Sequence, residues 1–250
     1  MGDANRVTAV VRSRRDVSPG LWILRIAPEE RVSFLPGQYL TIGVTDGSHT
    51  VERPYSVASS PRSSELEFFV ELVPEGKLTP HLYQVSVGEP VTIRRQAKGR
   101  FLFDRVSGRT KHFMAATVTG LAPFLSMLRE LSLAEAEGAE IPRTVTLLQS
   151  ASLSAEFGYL DELRALAARH AWLRFIPTVS RIWDDPSWTG ETGRVEDVLR
   201  KYLDMHGLTP ADTTTYLCGH PQMIVNAGGI LRRAGFDKEF IKEERYWPET

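Results

Sequence analysis

The segment ERPYSVASSP, residues 52–61, brings an arginine, a phenol and several hydroxyls onto one short stretch of backbone. Pro54 lacks a backbone donor and Pro61 ends the run, so we predict an edge or interrupted strand. A guanidinium group matches phosphate oxygens, and an aromatic ring can lie flat against a planar ligand. These residue types therefore suit a flat, phosphate-carrying cofactor. A solvated strand end is the alternative interpretation.

The segment TVTGLAP (117–123) has the features of a nucleotide-binding turn. Gly120 allows a close backbone approach, and Pro123 suits the first turn of a following helix. The N–H groups at a helix N-terminus attract a pyrophosphate. The segment does not have the GxGxxG pattern, so an ordinary tight turn is the alternative.

Two arginines stand at neighbouring element ends further along the chain. Arg181 follows a predicted strand end at Ser180, and Arg194 follows a Thr-Gly turn before a predicted helix. Guanidinium forks bind phosphate oxygens in charged hydrogen bonds worth about 1.5–3 kcal/mol each. Even a weakened pair would favour a nucleotide with a 2′-phosphate by a factor of about 100. Two solvated surface arginines are the alternative.

Cys218 and the C-terminal aromatic residues complete the candidates. In LCGHPQM (217–223), the thiol of Cys218 stands at a strand end where a ligand ring could lie against it, although a buried cysteine is usually inert packing. No His–Asp arrangement recommends it as a nucleophile. Tyr246 and Trp247 either cover a groove or fill a domain interface.

The elements that must position these residues change in type along the chain. The first part holds short segments rich in Val, Ile, Thr and aromatic residues, separated by turn signals, which predicts a small antiparallel barrel. One short helix is predicted at residues 81–85. The five predicted strands that accompany the 52–61 segment are 6–14, 21–27, 39–44, 65–73 and 90–95.

Strands and helices alternate in the second part, which predicts a parallel sheet covered by helices on both faces. Such a sheet binds ligands at the carboxyl ends of its strands. We predict the domain boundary between residues 106 and 111, giving domains 1–107 and 108–250. The predicted strands are 112–117, 144–151, 173–180 and 214–219, and the predicted helices are 120–137, 159–170, 195–203 and 221–235.

Composition excludes several classes of function. The formal net charge of −1 in 250 residues provides no field for nucleic acid or a membrane surface. No apolar run reaches 18 residues, and the N-terminus does not resemble a signal peptide, so we expect a cytoplasmic protein. We also expect a monomer. The single cysteine excludes an intrachain disulfide and a cysteine-ligated cluster, and the six histidines show no metal-binding spacing.

Seven motifs in order, across nearly the whole chain, resemble the ferredoxin/flavodoxin–NADP⁺ reductase family in its single-polypeptide bacterial form. Each motif alone is weak, but the order and the change of domain type are specific. The motifs are PGQY (36–39), RPYS (53–56), EGKLTP (75–80), TGLAPFLSML (119–128), SR…GR (180–194), CGHPQM (218–223) and YW (246–247).

The resemblance implies an N-terminal antiparallel β-barrel that binds FAD and a C-terminal Rossmann-like parallel α/β domain that binds NADP(H). It also implies hydride exchange between NADP(H) and the flavin, and single-electron exchange with ferredoxin or flavodoxin. No metal is implied. In a family member, Tyr55, Ser56 and Cys218 would fix the catalytic geometry rather than transfer protons.

The resemblance also implies individual roles. Arg53 would pair with the FAD pyrophosphate, Tyr55 would lie against the isoalloxazine, and Ser56 would sit near the flavin N5. The remaining implied contacts are Pro54, Val57 and Ser59 along the flavin segment; Gly76, Lys77, Leu78 and Thr79 at the FAD phosphates; Thr119 and Gly120 at the NADP pyrophosphate; Ser180, Arg181 and Arg194 at its 2′-phosphate; Cys218 and Gly219 beside the nicotinamide; and Tyr246 and Trp247 packed on FAD.

Three departures from the family pattern are visible. Val118 stands where the family's Gly-Thr-Gly turn has its first glycine, and Ser152 stands where an arginine often touches the nucleotide. The β-branched side chain of Val118 would narrow the approach to the pyrophosphate or shift its pose, and Ser152 would weaken NADP(H) binding. The chain also continues for three residues beyond the terminal aromatic pair, as Pro248, Glu249 and Thr250.

The electron acceptor stays open at this stage. An acidic carrier protein would meet basic residues, and solvated barrel edges are an equally good explanation of those residues. Alternatives are the reductase component of an oxygenase, a free-flavin reductase, or a non-autonomous electron-transfer subunit. The candidate basic contacts are Arg94, Arg95, Lys98 and Arg100, with Arg12, Arg14 and Arg15 in reserve.

Overall fold

A computed structural model describes residues 5–46 and 49–246. The chain forms two compact units. Among the described residues, the first unit contains those up to Phe103 together with Ala122–Glu130, and the second contains Asp104–Leu121 and residues 131–246. The elements of the first unit are β1 Arg6–Ser18, β2 Leu21–Pro28, β3 Tyr39–Asp46, β4 His49–Ser56, β5 Leu66–Glu71, α1 Thr79–Gln84 and β6 Pro90–Arg94.

The six strands of the first unit form one antiparallel sheet in the order β4-β3-β6-β1-β2-β5. Alternate residues point into a single core, as the period of a strand requires. In β1, for example, Val7, Ala9 and Val11 are buried while their neighbours are not. The predicted antiparallel barrel is therefore confirmed. Its largest fully buried side chains include Trp22 and Phe68.

Beyond β4, the chain returns to the other edge of this sheet. The N–H of Ala58 donates to the carbonyl of Glu67 on β5 at 2.8 Å. Helix α1 buries Leu82 against the barrel core, next to Leu78, the residue before its first turn. Residues 56–60 are therefore buried inside the unit and do not form a solvated strand end.

The second unit alternates strands with helices, as predicted. Its six strands are all parallel, in the order β10-β9-β8-β7-β11-β12. Its elements are β7 Lys111–Thr117, a 3₁₀ turn Val118–Leu121, α2 Ala122–Ala136 (whose first nine residues group with the first unit), β8 Thr144–Ala151, a 3₁₀ turn Ser154–Glu156, α3 Leu160–Arg169, β9 Leu173–Val179, a 3₁₀ turn Ile182–Asp184, β10 Glu191–Thr192, α4 Val195–Met205, β11 Thr213–Gly219, α5 Pro221–Arg233, a 3₁₀ turn Lys238–Phe240 and β12 Ile241–Arg245.

The central strands of this sheet are buried along their whole length. All eight residues of β8 and all seven of β11 are buried, which explains their continuous apolar and threonine-rich sequences. Helices α4 and α5 cover one face, where Leu199 and Ile224 pack with Leu148 and Leu217. Because the strands are parallel and paired side by side, their carboxyl ends lie together at one edge of the sheet.

Among the described residues, no helix is long and apolar enough to cross a membrane. Within residues 5–46 and 49–246, no group of three metal-ligating side chains comes together either.

A buried polar network ties β7 to β11 in the second unit. The His112 ring nitrogen Nδ1 lies 3.0 Å from the Tyr216 hydroxyl, which accepts the N–H of Asp104 at 2.9 Å. Burial lowers the pKa of His112 to about 4, although Asp104 opposes this shift. Burial would raise the pKa of Asp104, but hydrogen bonds from Ser107 and Thr214 outweigh it and lower that pKa to about 2.

We expect His112 to make the protein less stable as the pH falls. An unfolded histidine binds a proton near pH 6.5, whereas folded His112 stays neutral until about pH 4, so protonation favours the unfolded state between these values. The loss reaches about 3 kcal/mol at pH 4. Urea unfolding of the wild type and of His112→Gln between pH 7.5 and 4.5 measures it. The free energy of unfolding of the variant should depend less steeply on pH than that of the wild type. Parallel curves for the wild type and His112→Gln would contradict this assignment.

Candidate functional site

Arg53, Pro54 and Tyr55 lie on β4, which is an edge strand of the barrel sheet. An edge position tolerates the missing donor of Pro54, which is exposed. Tyr55 opposes Leu40 on β3 and packs against the barrel core, while Arg53 opposes Ile42. The structure therefore brings the guanidinium and the phenol onto one edge of the barrel, as the sequence predicts.

The phenol of Tyr55 stays protonated at any physiological pH. Burial raises its pKa above the usual range, and the positive charge of Arg53 only partly opposes that shift. Arg53 also donates from Nη1 to its neighbour's carbonyl, Glu52 O, at 2.6 Å. A neutral ring next to a fixed positive charge suits a flat ligand that carries phosphate.

The segment Ser56–Ser59 is buried and held by hydrogen bonds on both sides. The carbonyl of Ala58 accepts from Arg129 Nη1 at 2.9 Å, and the carbonyl of Ser59 accepts from Ser126 Oγ at 2.7 Å. The Ser59 hydroxyl accepts the N–H of Glu67 at 3.1 Å. Ser59 is thus a structural anchor, and the backbone around Ser56 is fixed in place.

Glu67 is the residue on which this arrangement is built, and sequence reasoning missed it. Its carboxylate is 3% exposed and lies between Arg25 at 2.5 Å and Arg129 at 2.7 Å. Burial would raise the pKa of Glu67, but the two guanidinium groups outweigh it and lower the pKa. The available signal was Glu67 itself, a charged residue that interrupts an apolar strand.

The Gly76–Thr79 turn precedes α1 and is closed by Val73. The Val73 carbonyl accepts from the Gly76 N–H at 2.8 Å and from the Thr79 hydroxyl at 3.0 Å, and the same hydroxyl accepts the Val73 N–H at 3.0 Å. The hydroxyl predicted to meet a phosphate is thus engaged within the protein. Leu78 is buried, and Lys77 is exposed and supplies the positive charge of this turn.

Two glycines form a backbone cradle at the carboxyl ends of β7 and β11 in the second unit. A Cβ on Gly120 would lie 2.3 Å from the Cys218 carbonyl oxygen. A Cβ on Gly219 would lie 2.2 Å from Thr117 Oγ1, and Gly219 has a φ of +126°. The Thr117 hydroxyl also accepts the N–H of His220 at 2.8 Å. Only glycine fits at either position, and the backbone of Thr119 and Gly120 is brought to the strand end.

Val118, at the start of this cradle, has a φ of +39°, a left-handed conformation that a β-branched residue rarely adopts. Its side chain packs against a small cluster that contains Phe157, Val179 and Trp188. The side chain of Val118 is thus held by this cluster, and the backbone carries the strain.

Cys218 is fully buried, and burial raises its pKa well above the usual range, with the charge of Glu244 adding to the shift. It is therefore a neutral thiol and not a nucleophile. Tyr246 follows β12, its N–H donates to the Gly219 carbonyl at 3.4 Å, and its hydroxyl donates to the Thr119 carbonyl at 3.4 Å. The structure thus places Tyr246 beside the cradle of its own unit. Trp247 lies outside the described residues.

The two predicted phosphate-binding arginines follow adjacent strands. Gly193 N–H donates to the Val179 carbonyl at 2.9 Å, which brings the chain before Arg194 alongside the end of β9. Arg194 is exposed, whereas Arg181 forms an ion pair with Asp184 at 2.7 Å. The hydroxyl of Ser180, the residue before Arg181, donates to the Ala151 carbonyl at 3.3 Å. Sequence reasoning missed Asp184, which stands three residues after Arg181.

Comparison with known proteins agrees with this geometry. Residues 8–103 match the family described as the oxidoreductase FAD-binding domain, and residues 114–228 match the oxidoreductase NAD-binding domain. The flavodoxin/ferredoxin–NADP reductase of Escherichia coli (strain K12) is 31% identical over 233 residues, which is 88% of this chain and 88% of that protein.

Two further similarities bear on function. Methane monooxygenase component C of Methylosinus trichosporium is 35% identical over 179 residues, 70% of this chain and 48% of that protein. The crystal structure of a ferredoxin NADP⁺ reductase from Neisseria gonorrhoeae with bound FAD and NADP has a TM-score of 0.87 at 25% identity, covering 98% of this chain and all of that one.

An FAD-binding barrel followed by an NAD-binding parallel α/β domain defines a two-domain flavoprotein oxidoreductase. Because identity reaches 31% over 88% of a reductase of this kind, the chain belongs to the flavodoxin/ferredoxin–NADP reductase family.

We expect Gly120→Ala to disrupt the cradle. The new Cβ meets backbone at 2.3 Å, so β11 or the turn must move, at a cost of about 1–3 kcal/mol in unfolding free energy. Binding of NADP⁺, measured by titration calorimetry, should weaken by at least tenfold. Gly229→Ala is the control, because its nearest contact on α5 is the end of a flexible arginine at 3.3 Å. Unchanged NADP⁺ binding by Gly120→Ala would show that the cradle does not hold the nucleotide.

Proposed function

We propose that the protein exchanges a hydride with NADP(H) through bound FAD and exchanges single electrons with ferredoxin or flavodoxin. When bound, FAD supplies the ability to accept two electrons together and to release them one at a time. The observation that carries the proposal is the two-glycine cradle, which brings the backbone of Thr119 and Gly120 to the carboxyl ends of β7 and β11, the edge at which a parallel sheet binds ligands. The family relationship across both domains supports the same assignment.

The residues of the first unit fit FAD. Arg53 would hold the pyrophosphate, and the neutral ring of Tyr55 would lie against the isoalloxazine. Ser56 would stand near the flavin N5. The hydrogen bonds from Arg129 and Ser126 to the carbonyls that follow it would keep this backbone segment in place. Lys77 and the backbone of the 76–79 turn would meet the phosphates. We propose residues 1–107 as this domain, which the matched range 8–103 supports.

The residues of the second unit fit NADP(H), and we propose residues 108–250 as the domain that holds it, supported by the matched range 114–228. Thr119 and Gly120 would meet the pyrophosphate, and Ser180, Arg181 and Arg194 the 2′-phosphate. Cys218 and Gly219 would flank the nicotinamide, with Cys218 as a buried, neutral thiol. We also propose that Tyr246 and Trp247 pack on FAD.

The partner is an electron carrier, and we propose an acidic one bound to a monomeric reductase in the cytoplasm. Much of the predicted basic surface is already neutralised. Arg94 pairs with Glu52 at 2.6 Å, and Arg95 pairs with Glu30. Arg14 pairs with Asp16 at 2.8 Å. The proposed contact surface is therefore centred on the exposed residues Lys98 and Arg100.

An oxygenase is the second candidate acceptor. The 35% identity to methane monooxygenase component C, over 70% of this chain, favours it. With a single cysteine, these 250 residues do not themselves hold a cysteine-ligated iron–sulfur centre. Rates measured with ferredoxin, flavodoxin, free FMN and an oxygenase component separate these acceptors. If the isolated, FAD-loaded chain does not reduce a small dye with NADPH, the protein is instead an electron-transfer subunit that needs a partner chain to act.

We expect anaerobic NADPH to bleach the flavin absorbance of the FAD-loaded protein, and NADH to do so more slowly at equal concentration. The reason is that the 2′-phosphate adds charged hydrogen bonds that NADH cannot make. Stopped-flow absorbance measures both rates. Failure of both nucleotides to bleach the flavin would remove the proposed reaction, and equal rates would remove the 2′-phosphate preference.

We expect the double variant Lys98→Glu, Arg100→Glu to slow electron transfer to an acidic carrier about tenfold at low salt, because it replaces attraction with repulsion. The difference should shrink at high ionic strength. Reduction of a small neutral dye should not change. The control is Arg164→Glu, Arg169→Glu, which makes the same change of charge at exposed positions of α3. Equal slowing by both double variants would place the carrier elsewhere.

A further inference from the structure

Arg181 is occupied by a carboxylate of its own chain. Its Nε and Nη2 donate to the same oxygen, Asp184 Oδ2, at 2.9 and 2.7 Å. Two donors on one acceptor hold the guanidinium in a fixed direction. Any anion that Arg181 binds must therefore replace Asp184 or share the guanidinium with it.

The local fold makes this pair. Arg181 N–H donates to the Ser152 carbonyl at 3.0 Å, which fixes the backbone just beyond the end of β9. The following residues form a 3₁₀ turn, closed by the Asp184 N–H donating to the Arg181 carbonyl at 3.0 Å. In a 3₁₀ turn the side chains at positions i and i+3 lie one above the other. Asp184 is thus placed on Arg181 by the backbone.

Nearby acidic residues are engaged in other contacts. Asp185 accepts the Ser154 N–H at 2.6 Å, and Asp197 accepts the Arg194 N–H at 2.8 Å at the start of α4. Each of these carboxylates closes a loop or begins a helix. Asp184 differs from them, because its contact is with the side chain to which a phosphate role is assigned.

The pair is also easily opened. The side chains of Arg181 and Asp184 are 51% and 42% exposed, and an exposed pair of this kind contributes only about 0.2–1 kcal/mol. A phosphate group with a charge near −2 would compete successfully with a single carboxylate. The pair therefore reduces the affinity of Arg181 for a phosphate but does not prevent binding.

We propose that Asp184 sets the preference of this protein for NADP(H) over NAD(H), by competing with the 2′-phosphate for Arg181. The inference rests on the proposed function, because it assumes that Arg181 meets the 2′-phosphate. Asp184 is a specificity-determining residue that weakens NADP(H) selectivity. It acts in the same direction as Ser152, which stands where the family often has an arginine.

The test measures binding of adenosine 2′,5′-bisphosphate and of 5′-AMP, which lacks the 2′-phosphate, by titration calorimetry on the FAD-loaded protein. Asp184→Asn should bind the bisphosphate about two- to fivefold more tightly than the wild type, the range that an exposed pair can supply. Binding of 5′-AMP should not change. Arg181→Ala should weaken bisphosphate binding about tenfold or more. In the Arg181→Ala background, Asp184→Asn should have no effect.

Asp204→Asn is the matched control. It removes the same charge from a similar exposed ion pair, that of Arg200 and Asp204 on α4, at 2.9 Å. Unchanged binding by Asp184→Asn, with weaker binding by Arg181→Ala, would overturn the competition and leave the proposed function intact. Tighter binding by Asp184→Asn even without Arg181 would show direct repulsion of the phosphate and also overturn the competition. No preference of the wild type for the bisphosphate, and no effect of Arg181→Ala, would overturn the assigned phosphate site itself.

Discussion

The second unit depends on one steric constraint, the approach of two backbone segments at Gly120 and Gly219. The ends of β7 and β11 lie side by side, and the turn after β7 passes directly over the carbonyl of Cys218. This packing leaves no room for a Cβ atom at either glycine. It also draws Thr117 into a hydrogen bond with His220 and holds Val118 in a left-handed conformation. The energy stored at Val118 is tolerated because its side chain is packed on the Phe157 cluster.

The first unit depends on a buried charge. Glu67 reaches the inside of the fold only because Arg25 and Arg129 accompany it, and removal of either partner would leave a carboxylate poorly compensated. Arg129 stands on α2 and also holds the Ala58 carbonyl. The segment assigned to the flavin is therefore positioned by a side chain from a helix that begins immediately after the nucleotide cradle in the sequence.

Periodicity in the sequence predicted the elements whose burial is regular. The apolar β8 and the alternating β1 were found within a few residues of their true ends. β12 was not predicted, because IKEER has one buried residue and is held by backbone pairing to β11, which leaves no hydrophobic pattern to detect. The two-residue β10 is too short to have a pattern at all.

The candidate site was predicted in the same uneven way. The glycines and arginines of the motifs were predicted from the family resemblance, because a motif is recognised by its residues and their spacing in the sequence. The contact between Glu67 and Arg129, which are 62 residues apart, depends on tertiary structure. The orientation of Asp184 toward Arg181 depends on a local turn. The engagement of the Thr79 hydroxyl by Val73 was equally hidden, because a hydroxyl's partner cannot be read from its motif.

The exposed proline on β4 also bears on how the folded chain avoids aggregation. The outer strand of a sheet offers a row of unpaired donors and acceptors on which a strand of another molecule can build. Pro54 interrupts that row with a position that has no hydrogen to donate, in a segment otherwise rich in residues that favour strands. The parallel sheet of the second unit has β10 at one edge, and its two residues offer too short a template for a foreign strand. Pro54, a residue of the cofactor motif, thus also makes the β4 edge a poorer template for edge-to-edge association.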